Sequence, residues 1–124
     1  MMNNLPQHLQ QNEKEAIESV TKQLFQFLEG NLAEVYLFGS KARGDFHADS
    51  DIDLLVIVEC LDHESRWRIR ATAADRSLEF DVLFNTHILD KARWNRLVEF
   101  QDTLWREVQR DGISLQDFAG QLMG

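Results

Sequence analysis

The sequence is poor in the residues and patterns that mark secreted or membrane proteins. It contains one cysteine, Cys60, so no intrachain disulfide can form and an oxidising compartment is not indicated. The N-terminal residues do not resemble a signal peptide, and no run of about 18 uncharged apolar residues occurs. We therefore expect a cytoplasmic protein without membrane attachment. Because Cys60 follows an apolar run, we expect its thiol to be partly buried.

Basic residues are also scarce. The chain of 124 residues has 13 lysines and arginines against 21 acidic residues, which gives a formal net charge of −8. Such a charge repels DNA and RNA unless the basic groups collect on one surface, so we expect no direct nucleic-acid binding. The hydrophobic content of 44% is that of a globular chain, and the length suits one domain. We expect a polar N-terminal tail at 1–11 and a single domain at 12–124.

Hydrophobic spacing predicts the secondary structure. Apolar residues recur at helical spacing from Ile17 to Leu28, with Asn12 as a candidate N-cap, and Trp67 is expected on the apolar stripe of a later helix. The run 52–58 is almost continuously apolar, which is typical of a strand buried on both faces. The order α-β-turn-β-α-β-α predicts an α/β domain with a mixed sheet. Its elements are a helix at 13–29, a strand at 33–38, a helical turn at 41–44, a strand at 52–58, a helix at 63–76, a strand at 79–84, one or two helices within 88–110 and an edge strand at 113–115.

A Gly-Ser pair, Gly39 and Ser40, follows the first predicted strand. Glycine permits a sharp turn that leaves backbone N–H groups open to a ligand, and a serine hydroxyl can bind a phosphate. Taken alone, such a pair is more often an ordinary turn. Its position between a strand and a nearby pair of aspartates favours a phosphate-binding turn.

Asp51 and Asp53 lie at the start of the apolar run 52–58. Two positions apart on an extended strand, their side chains point to one face, with Cα atoms about 6.8 Å apart. Burying Asp53 in a core strand is costly unless a cation or hydrogen-bond donors accompany it. Carboxylate oxygens are ligands that Mg²⁺ prefers, so the pair predicts a metal site.

Residues 35–59 combine both features in the stretch VYLFGSKARGDFHADSDIDLLVIVE. This stretch resembles the motif of the DNA polymerase β nucleotidyltransferase superfamily, in particular its minimal nucleotidyltransferases (MNT). The resemblance extends over 32–115 and implies a polymerase β-like core. In the family's G-S-x-x-R-G form the serine and the arginine bind the triphosphate, which implies that role for Gly39, Ser40 and Arg43. The motif does not require Lys41, so a phosphate contact and a solvated lysine both remain open for it.

The resemblance also implies a third carboxylate on the next strand. Asp81 lies in the strand predicted at 79–84, where alternation would turn it towards the first pair, and Glu79 is its rival on the same face. Asp51, Asp53 and Asp81 would then hold one Mg²⁺ ion that lowers the pKa of the acceptor hydroxyl. A second ion on Asp51 and Asp53 would bind the triphosphate. Whether Asp81 is also the base stays open.

The function implied by the resemblance is transfer of AMP from ATP to an acceptor hydroxyl, with release of pyrophosphate. Minimal nucleotidyltransferases are typically encoded beside a small HEPN protein and act as its antitoxin, so a HEPN-domain toxin is the implied partner and acceptor, as in a type VII-like antitoxin. Two alternatives remain. One is a non-catalytic antitoxin that acts by contact, and the other is an antibiotic adenylyltransferase whose pocket a homodimer would create.

Other catalytic patterns are missing from the sequence. The four histidines have no metal-ligand spacing, and a surface or capping role is expected for each of them. No Walker-type loop, H-E-x-x-H pair or G-x-S-x-G elbow occurs, which excludes P-loop ATPases, zincins and α/β-hydrolases. Trp94 and Trp105 are expected on the apolar stripe of the last helices rather than at an interface. The histidines are His8, His47, His63 and His87.

Overall fold

A computed structural model describes residues 5–44 and 50–116, which form an α/β domain as predicted. The strands predicted at 33–38 and 52–58 are confirmed, and the region 88–110 contributes the end of a strand and two helices. In chain order the elements are α1 (Gln11–Phe27), β1 (Leu32–Phe38), α2 (Ser40–Arg43), β2 (Ile52–Val58), α3 (His63–Phe80), β3 (Phe84–Asp90), α4 (Lys91–Glu99), α5 (Thr103–Asp111) and β4 (Ile113–Ser114).

The strands form one mixed sheet in the order β3-β2-β1-β4. β2 is parallel to β3 and antiparallel to β1, which in turn pairs antiparallel with β4. β2 is buried along nearly its whole length, because its apolar residues face a helix layer on either side. The register places Asp53 opposite Phe38 of β1 and opposite Asn85 of β3. The end of β1 and the starts of β2 and β3 therefore lie at the same edge of the sheet.

Each face of the sheet is covered by helices. α1 and α3 pack against the even-numbered residues of β2, with Ile17 and Ile69 in the shared core. α4 and α5 pack against the odd-numbered residues, with Trp94 and Val108 in a second core. Trp94 is 5% exposed, so its expected place on the helix stripe is confirmed. Because side chains alternate along a strand, Asp53 lies on the face that α4 and α5 cover.

The N-terminal boundary needs correction. Leu5 and Leu9 are 7% and 4% exposed and belong to the core beside α1, so residues 5–10 pack onto the domain instead of forming a polar tail. α1 begins one residue before the expected cap, at Gln11. Glu13 Oε1 accepts a hydrogen bond of 2.9 Å from the N–H of Gln10, which is the N-cap. The side chain of Asn12 instead donates to the carbonyl of Phe80, at 2.9 Å, and caps the end of α3.

The strand predicted at 79–84 is wrong. α3 continues to Phe80, Asp81 follows in the left-handed region with φ of 57°, and β3 runs from Phe84 to Asp90. Aspartate tolerates this conformation better than most residues, and the N–H of Val82 closes the helix end on the carbonyl of Ser77. The alternation at 79–84 thus belongs to a helix end and a turn. The parallel strand lies a few residues later, where Ile88 enters the core.

Two expectations about exposure are also wrong. α3 covers the sheet with Ile69 and Ala73, which leaves Trp67 on the opposite face of the helix with 69% of its surface exposed. Cys60 is exposed because β2 ends at Val58, and its backbone is held in the following turn by the Asn31 side chain. No helix in the described ranges is long and apolar enough to cross a membrane.

Candidate active site

The turn after β1 has the form expected for a phosphate-binding turn. Gly39 adopts φ of 76°, in the region that favours glycine, and Ser40 begins α2. The carbonyl of Gly39 accepts from the N–H groups of Ala42 and Arg43, each at 3.1 Å, and Gly44 ends the short helix with φ of 95°. The first N–H groups of a helix have no intrahelical acceptor and can bind a ligand. The fold therefore brings Gly39, Ser40 and Arg43 into a single compact turn.

A buried ion pair supports this turn from the core side. Lys41 Nζ lies 2.5 Å from Glu13 Oε2, and the two side chains are 1% and 5% exposed. Neither expectation for Lys41 is correct, because the residue is not solvated and its ammonium group faces α1. A buried charge needs a partner, which Glu13 provides. His8 Nε2 also lies 2.6 Å from the carbonyl of Lys41, so α2 is held by α1 through Glu13 and by the segment before α1 through His8.

Asp53 is in direct contact with the glycine turn. A Cβ built on Gly39 would overlap Oδ2 of Asp53, so this oxygen lies against the glycine Cα. The other oxygen, Oδ1, accepts a hydrogen bond of 2.9 Å from Asn85 Nδ2. The side chain of Asp53 is 22% exposed, which leaves it accessible to a ligand. The hydrogen bond from Asn85 offsets the cost of burying Asp53. A hydrogen-bond donor was one of the two kinds of partner expected for this aspartate, the other being a cation.

Asp51 is exposed and precedes β2 by one residue. It therefore lies at the same end of β2 as Asp53. The structure thus brings the Gly39–Arg43 turn to Asp53, with Asp51 at the adjoining end of β2. The chemistry available at this edge is backbone N–H and serine hydroxyl donors on one side and carboxylate oxygens on the other.

Asn85 and His87 are site residues that the sequence reading missed. Both lie on β3 on the side of Asp53, and His87 Nε2 is 3.8 Å from Asp53 Oδ1. The ring of His87 meets Phe38 edge-on, with centroids 5.1 Å apart and planes at 63°. Alternation would have revealed both residues had the strand been placed at Phe84–Asp90. The expected surface or capping role does not describe His87, which lies near Asp53 and contacts Phe38. His47, for which the same role was expected, lies outside the described residues.

Arg43 is tied to the end of α5. Its Nη1 lies 3.0 Å from Asp111 Oδ2, and its side chain is 34% exposed. Asp111 also binds Arg110, and hydrogen bonds from Arg110 and then Arg43 hold the pKa of this carboxyl below its ordinary value against the opposing effect of burial. The guanidinium group is thus held at a fixed place beside the turn while one third of the side chain remains open to solvent.

Asp81 lies on the other side of β2 from Asp53. It borders a cavity of about 410 Å³ beside the start of α1, together with Asn12, Ser50 and Ile52. Ile52 belongs to the face of β2 that α1 and α3 cover, whereas Asp53 lies on the opposite face. Among the residues that the structure describes, no three His, Cys, Asp or Glu side chains form a ready metal cluster. Glu79, the rival, is paired with Arg76 at 2.7 Å.

The donor set at Asp51 and Asp53 fits a magnesium ion that is only partly coordinated by protein. Mg²⁺ usually keeps several waters and binds through one or two carboxylates together with substrate phosphates. Asp53 Oδ2 lies against the glycine turn, where a phosphate oxygen would complete the coordination. The residues present therefore fit one ion shared between carboxylates and phosphate.

Comparison with known proteins finds similarity to nucleotidyltransferases. Residues 11–103 match the family model described as a nucleotidyltransferase domain. The chain is similar to "Putative protein adenylyltransferase MJ0141" of Methanocaldococcus jannaschii, with 36% identity over 78 residues that cover 62% of this chain and 79% of that protein. A protein of the same organism with the same descriptive name, MJ0604, is 41% identical over 46 residues, which are 37% of this chain and 46% of that protein.

Two solved structures share the fold, each with a TM-score of 0.50. One is a mutant of the toxin-antitoxin MntA-HpeT, 23% identical over 81% of this chain and 76% of that chain. The other is a "putative nucleotidyltransferase from Sulfolobus solfataricus", 20% identical over 92% and 90% of the two chains. At these identities the likeness concerns the fold alone.

The family match identifies an enzyme that transfers nucleotides. The chain belongs to the nucleotidyltransferase domain family. The nucleotidyltransferase family implied by residues 35–59 is confirmed by this match, and the predicted α/β fold is shared with the solved structures.

Proposed function

We propose that this nucleotidyltransferase moves AMP from ATP onto an acceptor hydroxyl in a Mg²⁺-dependent reaction. The oxygen of the acceptor hydroxyl forms a bond to the α-phosphorus and its proton passes to solvent. The bond between that phosphorus and the α–β bridging oxygen breaks, and pyrophosphate leaves. The observation that carries the proposal is the contact between Asp53 Oδ2 and the Gly39 turn. It makes a carboxylate and a phosphate-binding turn neighbours, as a reaction on a metal-bound triphosphate requires.

The residues of the turn would bind the triphosphate. The N–H groups at the start of α2 and the hydroxyl of Ser40 would donate to phosphate oxygens, and Gly39 allows the chain to approach them closely. The guanidinium group of Arg43 would neutralise charge on the terminal phosphates while Asp111 restrains it. Lys41 takes no part in this binding because it is buried against Glu13.

Asp51 and Asp53 would hold Mg²⁺ between them and the phosphates. The ion would neutralise charge that develops on the phosphate oxygens during transfer. A mechanism with two Mg²⁺ ions would need a third carboxylate on the Asp53 side of β2. Asp81 borders the cavity on the other side, so we assign the carboxylate role to Asp51 and Asp53 and leave Asp81 without a metal.

The acceptor that we propose is a hydroxyl group of a HEPN-domain toxin, which the protein would modify as an antitoxin. Support comes from a relative named as a protein adenylyltransferase and from the likeness in fold to the MntA-HpeT toxin-antitoxin structure. α3 also exposes two large apolar side chains, Trp67 and Leu78, which lie about three turns apart and are 69% and 85% exposed. A protein partner would remove this surface from water.

Labelling with ATP that carries ³²P on the α-phosphorus tests the proposal. The protein is incubated with Mg²⁺ and labelled ATP, alone and with the product of the neighbouring reading frame, which we propose to be the HEPN protein. We expect label on the HEPN protein, loss of label in Asp53→Asn, and full labelling in the matched control Asp75→Asn, which changes an exposed aspartate of α3. Protection from the toxin without any label would instead support an antitoxin that acts by contact alone.

A further inference from the structure

Asn85 is the side chain that the sheet places directly across from Asp53. β3 runs parallel to β2, and the register pairs the two residues. Asn85 Nδ2 donates to Asp53 Oδ1 at 2.9 Å. The contact joins neighbouring strands of one sheet, so the backbone ladder fixes the separation of the two side chains.

The chemistry of the neighbours fixes the orientation of the Asn85 amide. The amide nitrogen lies 2.9 Å from Asp53 Oδ1 and 3.3 Å from His87 Nε2. An ionised carboxylate only accepts hydrogen bonds, so the group facing Asp53 must be the NH₂ and not the carbonyl oxygen. With its proton on Nδ1, His87 accepts the second N–H of the same amide. The edge contact of His87 with Phe38 keeps the ring in place.

This arrangement distinguishes the two oxygens of Asp53. The terminal torsion of an aspartate is soft, so the plane of a carboxylate without a partner would rotate. The hydrogen bond from Asn85 occupies Oδ1 and leaves Oδ2 against Gly39. An amide supplies this donor without adding negative charge next to the aspartate.

We propose that Asn85 is a positioning residue for the metal site: its amide aims Oδ2 of Asp53 at the phosphate-binding turn. The inference rests on the proposed function, since it assumes that Asp53 binds a divalent cation together with the nucleotide. Partners that orient a metal ligand commonly affect metal affinity about 10-fold to 100-fold when they are removed.

The test measures Mn²⁺ affinity by electron paramagnetic resonance in the presence of a non-hydrolysable ATP analogue. Asn85→Leu keeps the approximate size of the side chain but removes the donor, and Asn85→Ala does so without adding bulk. Asn95→Leu, on an exposed position of α4, is the matched control. Thermal unfolding without metal shows whether each variant is folded.

We expect both Asn85 variants to bind Mn²⁺ about 10-fold more weakly than the wild type, with unfolding temperatures like that of the control. Equal Mn²⁺ affinity in the wild type and both Asn85 variants would overturn the role of Asn85 and leave the proposed function intact. Absence of Mn²⁺ binding in the wild type with the analogue present would overturn both. A similar loss in Asn95→Leu would also count against the inference, because the effect would not depend on Asp53.

Discussion

Oδ2 of Asp53 occupies the space that a Cβ at Gly39 would fill. The register explains the contact, because Asp53 pairs with Phe38, the residue before the glycine. The two ends of the sequence motif, fourteen positions apart in the chain, are therefore adjacent in the fold. The glycine has two physical roles here: it permits a φ of 76° and it makes room for the carboxylate.

Gly39→Ala should impair both folding and catalysis. Gly39 has φ of 76° and ψ of −160°, a region essentially confined to glycine, so alanine there costs about 1–3 kcal/mol. Its Cβ would also displace Asp53, for which a loss of activity of about 100-fold is expected. Gly30→Ala is the matched control, since Gly30 has φ of 82° but no atom within 4 Å of its added Cβ. Gly30→Ala should lose stability in thermal unfolding because of its positive φ, yet keep nucleotidyl transfer. Equal activity in the two variants would refute the role of the contact.

Lys41→Met should destabilise the protein strongly. It leaves Glu13 buried without its partner, which typically costs about 3–5 kcal/mol of unfolding free energy. The double variant Glu13→Leu with Lys41→Met should recover much of the loss, because no unpaired charge remains. Lys91→Met is the control, as the Lys91–Glu34 pair is more exposed and should contribute less than about 1 kcal/mol. Urea denaturation measures all of them, and a small effect of Lys41→Met alone would show that the pair is not structural.

Asp81→Asn should leave metal-dependent nucleotide binding within about twofold of the wild type, as is usual for exposed substitutions. Asp51→Asn should weaken it by about tenfold or more, because a proposed ligand is lost. The comparison uses Mn²⁺ titrations with a non-hydrolysable ATP analogue. Equal losses in the two variants would restore Asp81 as the third carboxylate and require the turn after α3 to move when ligand binds.

Tyr36 should titrate well above an ordinary tyrosine. Burial, and then the hydrogen bond of 2.6 Å from its hydroxyl to Glu34, raise the pKa of Tyr36 from 10.0 to about 12. The folded state thus favours the protonated phenol, so this contribution to stability is complete below pH 10 and is lost as the pH rises towards 12. Tyr36 is the only tyrosine, so absorbance near 295 nm reports it directly.

Glu34→Gln provides the control for this titration. In this variant the pKa of Tyr36 should be lower than in the wild type, because the charge of Glu34 is gone. It should stay above 10, because burial is the larger cause of the raised pKa. A phenol that titrates at 10 in the folded wild type would contradict the packing described for β1.

Local patterns predicted much of this fold. β2 is an unbroken apolar run and Gly39 follows a short strand of β-forming residues, so strand, turn and the Asp51–Asp53 pair were all visible in the sequence. The end of α3 was not, because the alternation around Asp81 looks like a strand, while the true stop is a left-handed aspartate. Because the third strand was predicted too early in the chain, Asn85 was not recognised as a neighbour of Asp53. That contact depends on the register between β2 and β3.

Long-range pairs were also beyond the reach of sequence patterns. Lys41 meets Glu13 and Arg43 meets Asp111 only after the helices have packed on the sheet. Single-residue chemistry suggested a solvated lysine or a phosphate ligand for Lys41. Tertiary packing instead made it part of the support for the turn.

Isothermal titration with ATP and Mg²⁺ tests the central claim most directly, namely that the Gly39 turn and the Asp51–Asp53 pair form one nucleotide site. We expect saturable ATP binding by the wild type that depends on Mg²⁺, and a loss of about tenfold or more in Asp53→Asn with the unfolding temperature retained. The absence of ATP binding in the wild type, or equal binding in Asp53→Asn, would contradict the account.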